Sequence, residues 1–145
     1  MSERFKLIGG VLNIILNQNN EVLMTLRKNK FDRGKYSLPG GCMEDGETVK
    51  QAAAREIREE TTLVADENDL EIVSVMHRIT PWNWQSIEYV LVTRTFSGTP
   101  KITEPDKCEG LKWFPLERLP ENISTYAKQA IENFLNKIYF MEINF

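Results

Sequence analysis

Four glutamates and one arginine stand at fixed spacing in the stretch GGCMEDGETVKQAAAREIREETTL, residues 40–63: Glu47, then Arg55, Glu56, Glu59 and Glu60. Glu56, Glu59 and Glu60 are three and four positions apart. On a helix they become neighbours, and like charges so placed cost roughly 0.2–0.5 kcal/mol per pair when nothing neutralises them. At about 100° of rotation per residue the three fall inside one sector of roughly 100° that also holds Ala52 and Ala53, with Gln51 and Arg58 opposite. The carboxylates thus extend the small apolar stripe that should face the protein, which argues against a merely solvated charged face. Carboxylates taken partly out of water need protons, basic partners or cations. Arg55 can pair with Glu59 at i,i+4, but one guanidinium cannot neutralise three or four acids. A hard divalent cation can, and Mg²⁺ favours a few carboxylates, keeps waters and bridges to phosphates. In the preceding loop Gly40, Gly41 and Gly46 permit positive φ and close backbone approach, and Glu47 stands within reach of the same ions. An anion-accepting loop beside a cation-binding helix suits attack on a phosphoanhydride.

These residues need a helix and a sheet to hold them. Thr48 can cap a helix with Gln51 as its capping-box partner, and the run AAAREIREE predicts that helix from about Val49 to Thr61. FKLIGGVLNIIL (5–16) and EVLMTLR (21–27), separated by NQNN, predict a hairpin. YSL predicts a short strand, PGG its end, and a loop should follow up to Glu47. EIVSVMHRIT (71–80) and QSIEYVLVTRTF (85–96) around PWNW, and LKWF (111–114), predict further strands. Tyr126, Ala130, Phe134 and Ile138 at four-residue intervals predict a closing amphipathic helix over 124–140. Early strands, a central helix, more strands and a last helix predict a sheet covered by helices on both sides.

The 145 residues, 41% hydrophobic and 27% charged, suit a single domain across 1–145 with no internal repeat or linker. A net charge of −3 offers no basic face for a long nucleic acid. No apolar stretch is long enough to span a bilayer and the N-terminus lacks a signal pattern, so the expected address is the cytoplasm, without a membrane partner. Cys42 and Cys108 lack zinc-type spacing and are expected to be free thiols.

Positions 41–63 resemble the signature of the Nudix hydrolases, Gx5Ex7REUxEExGU with U aliphatic. Gly41, Glu47, Arg55, Glu56, Ile57, Glu59, Glu60 and Leu63 agree in type and spacing. The departure is Thr62, where the signature has glycine. Thr62 therefore implies a different helix end or about 1 kcal/mol of strain in a left-handed residue. The resemblance implies an α/β (α+β) Nudix fold, an α/β/α sandwich with a mixed sheet. It also implies Mg²⁺-dependent, or Mn²⁺-dependent, hydrolysis of a nucleoside diphosphate linked to another group. By the same resemblance Glu56, Glu59 and Glu60 would be metal ligands, one of them also handling the water's proton. Glu47 would support the metals, Gly41 would lend its carbonyl, and Arg55 would orient a glutamate. YSLPGG before the box, and EPDKCEGLKWFPLERLP (104–120), resemble MutT-like nucleoside triphosphate pyrophosphohydrolases, which makes Glu104 and Glu109 candidates for a further acidic ligand at the substrate.

Outside the box, Trp82 and Trp84 have faces that suit stacking on a nucleobase, with ordinary packing as the plain alternative. His77 reads better as a hydrogen-bonded structural residue than as a ligand. In the basic stretch around residues 27–35, Arg27 is the candidate for substrate phosphates, and Phe31 and Tyr36 are candidates for pocket lining. The expected activity is cleavage of a small-molecule nucleotide, a modified or ordinary nucleoside triphosphate, to monophosphate and pyrophosphate. Nucleotide sugars, dinucleoside polyphosphates and capped RNA are the alternative substrates, a catalytically weak nucleotide-binding regulator is the alternative class, and a homodimer is compatible with all of them.

Overall fold

The structure, a computed structural model, describes residues 3–79 and 84–144. In chain order its elements are β1 (Ile8–Ile15), β2 (Glu21–Arg27), β3 (Tyr36–Ser37), β4 (Gly40–Cys42), α1 (Val49–Thr61), a 3₁₀ turn (Glu67–Asp69), β5 (Glu71–Ile79), β6 (Gln85–Thr93), β7 (Cys108–Pro115), α2 (Thr125–Leu135) and β8 (Phe140–Asn144). Five strands form a mixed sheet in the order β4-β1-β6-β5-β8, and three form an antiparallel sheet in the order β3-β2-β7. β1 runs parallel to β6 and antiparallel to β4. Its nearly unbroken apolar run fits a strand covered on both faces.

Residues of both sheets alternate between two cores, as the two-residue period of a strand requires. On one side Ala52, Ala53 and Ile57 of α1 pack with Val11, Ile15, Leu23 and Leu91. On the other, Tyr126, Ala127, Ala130 and Ile131 of α2 pack with Leu12, Ile14, Met24, Met76 and Val90. This is the expected layering of helix, mixed sheet and helix. Buried Asn13 on β1 donates from Nδ2 to the Ala53 carbonyl at 3.3 Å, which pins α1 to the sheet.

Three expectations change. β1 and β2 do not form a hairpin ladder: beyond the Leu16–Val22 bridge they part into different sheets. Asn17 explains the tight turn, since its Oδ1 accepts from the backbone of Asn19 and Glu21. Gly40–Cys42 is a strand rather than a loop, paired with Gly10–Leu12 of β1. A Cβ on Gly40 would lie 2.0 Å from the Val11 carbonyl oxygen, so the glycine permits this close pairing instead of ending it. α2 ends at Leu135, because Lys137 turns left-handed at φ 56° and the chain reverses into β8, parallel to β5. Ile138, placed on the helical stripe by spacing, lies in that reversal, and its N–H donates to the Asn133 carbonyl.

Candidate metal and phosphate site

α1 begins with the capping box expected for it: Thr48 accepts from the Gln51 N–H, and the Gln51 side chain accepts from the Thr48 N–H. The helix therefore starts in a fixed register and delivers its acids to a cleft of about 400 Å³ at the open edge of β4. Glu56, Glu59 and Glu60 line it, facing Gly40, Gly41, Arg27 and Glu104.

Each carboxylate is held differently. Glu56 is buried at 8% exposure and abuts β4 so closely that a Cβ on Gly41 would stand 2.6 Å from its Oε1. Gly41 is thus required by the approach of an acid to the strand. Glu60 Oε2 accepts from the Gly40 N–H at 2.9 Å. Glu59 is half-exposed at the rim. Burial, and next the charge of Glu56, push the Glu60 carboxyl up to about 8, outweighing the Gly40 hydrogen bond. Burial also raises Glu56, against the pull of Arg55.

Arg55 is the cation in direct contact with these acids. It makes a bidentate pair with Glu47, Nε to Oε2 at 2.6 Å and Nη2 to Oε1 at 3.0 Å, while Nη1 lies 3.0 Å from both Glu56 Oε1 and Glu59 Oε2. Nη2 also donates to the Cys42 carbonyl. These bonds raise the guanidinium's pKa and, chiefly through the Arg55 hydrogen bond, lower that of Glu47. Among the described residues no three Asp, Glu, His or Cys side chains close around a single point, and Arg55 stands between Glu56 and Glu59. The donor set nonetheless fits a hard cation. It is all oxygen, and burial together with the neighbouring carboxylates Glu56 and Glu104 raises Glu60, so a cation placed among them would relieve both.

The far wall comes from the segment after β6, which is tied to the end of α1. Lys101 N–H donates to the Thr61 carbonyl, the Thr103 hydroxyl to that of Glu59, and Ser97 and Val64 exchange backbone bonds. The last-turn carbonyls of Glu59 and Thr61 are thereby satisfied, and Glu104 is brought to the cleft. Thr62 takes the left-handed conformation, φ 67°, so the helix end keeps the geometry glycine would adopt and carries the strain as a threonine.

The other candidates divide. Arg27 lines the cleft and also a second cavity of about 200 Å³ across β4, which Phe31 and Trp84 line as well. Glu47 lines neither and is engaged with Arg55, so here it supports the arginine rather than the cleft directly. Tyr36 packs edge-on against Phe114, ring centroids 4.8 Å apart, in the α2-side core and away from both cavities. Glu109 is exposed and lines neither, since the alternation of β7 turns Cys108 inward instead. Trp82 falls outside the described residues. His77 hydrogen-bonds Gln85 at 3.1 Å. Sequence reasoning missed Glu44 and Lys107 at the cleft, and Arg78 and Glu88 at the second cavity. Glu88 had a signal: it shares strand parity with the apolar Val90 and sits opposite Gly10.

A model of the NUDIX domain matches residues 6–134 of the chain. The 8-oxo-dGDP phosphatase NUDT18 of Mus musculus is 35% identical over 112 residues, 76% of this chain and 33% of that protein, so the chain spans about a third of that relative's length. A Bacillus subtilis protein provisionally named an 8-oxo-dGTP diphosphatase is 31% identical over 127 residues, 88% of this chain and 79% of its own. The crystal structure of a MutT NUDIX hydrolase from Burkholderia pseudomallei superposes with a TM-score of 0.81 at 29% identity, covering 88% of this chain and 98% of that one.

Proposed function

The chain belongs to the NUDIX family, and from that premise we propose that it is a Mg²⁺-dependent pyrophosphohydrolase, Mn²⁺ serving in place of Mg²⁺, that cleaves a nucleoside triphosphate, ordinary or modified at the base, to monophosphate and pyrophosphate. The observation that carries this reading is the set of glutamates from one helix, Glu56, Glu59 and Glu60, lining a single cleft against the glycine backbone of β4. Those three would hold the ions, with Glu104 across the cleft as a further oxygen donor. When bound, divalent ions neutralise phosphate oxygens and make bound water a nucleophile at neutral pH.

The chain's own groups divide the remaining work. Gly40 N–H fixes Glu60 at the wall of the cleft. Arg55, braced by Glu47 and the Cys42 carbonyl, sets where Glu56 and Glu59 stand. Arg27, at the boundary between cleft and second cavity, is placed to meet a phosphate. Relatives named for 8-oxo-dGDP and 8-oxo-dGTP support a purine nucleotide with a modified base as the first substrate to try. Nucleotide sugars and dinucleoside polyphosphates complete the panel.

The test is pyrophosphate and phosphate release from such a panel in Mg²⁺, by the parent and by Glu59→Gln. We expect turnover by the parent and a loss of at least 100-fold in the variant. Unimpaired turnover by Glu59→Gln would refute the assignment of the ions to this helix, and tight nucleotide binding with no turnover across the panel would refute the hydrolase itself.

A further inference from the structure

The second cavity, about 200 Å³, opens on the α2 side of the five-stranded sheet and shares Arg27, Gly40 and Gly41 with the acidic cleft. A molecule whose phosphates lay among the glutamates would extend across β4 into it. Its walls combine aromatic faces with two charges, one buried and one half-buried. Trp84, Phe31 and Tyr126 line it, and Arg78 and Glu88 project from neighbouring strands onto the same face.

Arg78 is only 5% exposed, its guanidinium lies 5.0 Å from the Tyr126 ring centroid, and its Nε has no hydrogen-bond partner among the described residues. A buried donor without a partner is costly unless a ligand completes it. Glu88 reaches under β1 beside Gly10, where a Cβ would stand 2.2 Å from its Oε2, and accepts only from the Ser86 hydroxyl, at 3.1 Å, among the described hydrogen bonds. Gly10 thus makes the space that carboxylate occupies. A donor-only guanidinium and an acceptor-only carboxylate on one wall of an aromatic cavity define an edge to be read.

We propose that this cavity holds the substrate's base and that Arg78 and Glu88 select a guanine-type edge. A guanine offers a carbonyl acceptor to Arg78 and two adjacent N–H donors to the two oxygens of Glu88. Adenine has an amino group where that carbonyl is, and a ring acceptor where the first of the two donors is, so it meets this pair only in part. The inference deepens the nucleotide reading and rests on it for turnover, but base binding is measurable without catalysis.

The experiment is calorimetric binding of dGMP and dAMP without metal to the parent, Glu88→Gln and Gly10→Ala, with Mg²⁺-dependent turnover of dGTP and dATP measured alongside. The parent should bind dGMP at least 10-fold more tightly than dAMP. Glu88→Gln, which sets an amide donor against the guanine donors, should weaken dGMP binding by about 10- to 100-fold while sparing dAMP. Gly10→Ala keeps the charge and displaces only the flexible carboxylate end, so it should abolish the preference in a protein that melts cooperatively. Equal binding of the two nucleotides by the parent, no measurable binding of either, or an unchanged preference in both variants overturns the proposal. Selective binding without turnover would sustain it and refute the hydrolase reading instead.

Discussion

Thr62 ends α1 in the left-handed conformation, and its hydroxyl donates to the Thr99 carbonyl at 2.9 Å. The residue that departs from the family signature is therefore a tether for the segment leading to Glu104. A left-handed β-branched residue costs about 1 kcal/mol, and a hydrogen bond returns about the same. Thr62→Ala keeps the strain and loses the bond, so it should destabilise by about 1 kcal/mol. Thr62→Gly loses both and should stay within about 0.5 kcal/mol of the parent. Urea denaturation of the two variants checks the order. A Thr62→Gly protein less stable than Thr62→Ala would mean that the backbone there is not strained.

Glu88 ties stability to pH. Burial raises its carboxyl above the ordinary 4.5, more than Arg78 and the Ser86 hydroxyl lower it. A carboxyl raised in the folded state gives stability that is fully present below the unfolded pKa and is lost as pH rises through the folded one. Glu88→Gln cannot titrate. The stability of Glu88→Gln relative to the parent should therefore rise with pH from about 4.5 upward, at no more than about 1.4 kcal/mol per pH unit. Denaturation at pH 5 and pH 8 measures it, and a constant difference would show that Glu88 is ionised throughout.

Local physics made some of this legible in the sequence and long-range pairing hid the rest. The capping pair Thr48 and Gln51 and the helical spacing of Glu56, Glu59 and Glu60 depend on neighbours within one or two turns, and α1 ends where they say. Gly40 and Gly41 read as breakers because glycine usually is one. Only the partner strand β1, some thirty residues earlier, makes them a strand. The reversal at Lys137 was hidden by an apolar stripe that runs through it, although Met141 and Ile143 turn inward with the two-residue alternation of a strand edge. The second cavity was least legible, because Arg78, Glu88 and Gly10 come from three strands whose adjacency no local pattern encodes.

Metal loading should stabilise the fold through the cleft. A ligand at 100 times its Kd adds about 2.7 kcal/mol, or roughly 9 °C in Tm for a chain of this size. Mg²⁺ or Mn²⁺ should produce such a shift in the parent, and EDTA should reverse it. Gly41→Ala should abolish it, because the added Cβ would stand 2.6 Å from Glu56 Oε1 and push that carboxylate off β4. A full shift in Gly41→Ala would place the ions away from Glu56.

If Glu56 and Glu59 hold the ions as proposed, Arg55 should compete with those ions, since its Nη1 sits 3.0 Å from both carboxylates. Removing the guanidinium leaves Glu47 without its bidentate partner and Glu56 and Glu59 without the cation that bridges them. Arg55→Ala should therefore lower metal-free stability by about 2 kcal/mol, in the range for breaking a partly buried pair. Saturating Mg²⁺ should recover part of that loss, because it supplies the positive charge that the variant lacks, although Glu47 remains unpaired. The Mg²⁺-induced rise in Tm should then be larger in Arg55→Ala than in the parent. A smaller rise would mean that the arginine shapes the ion site more than it opposes the ion, and that its bond to Glu47 is what holds Glu56 and Glu59 in place.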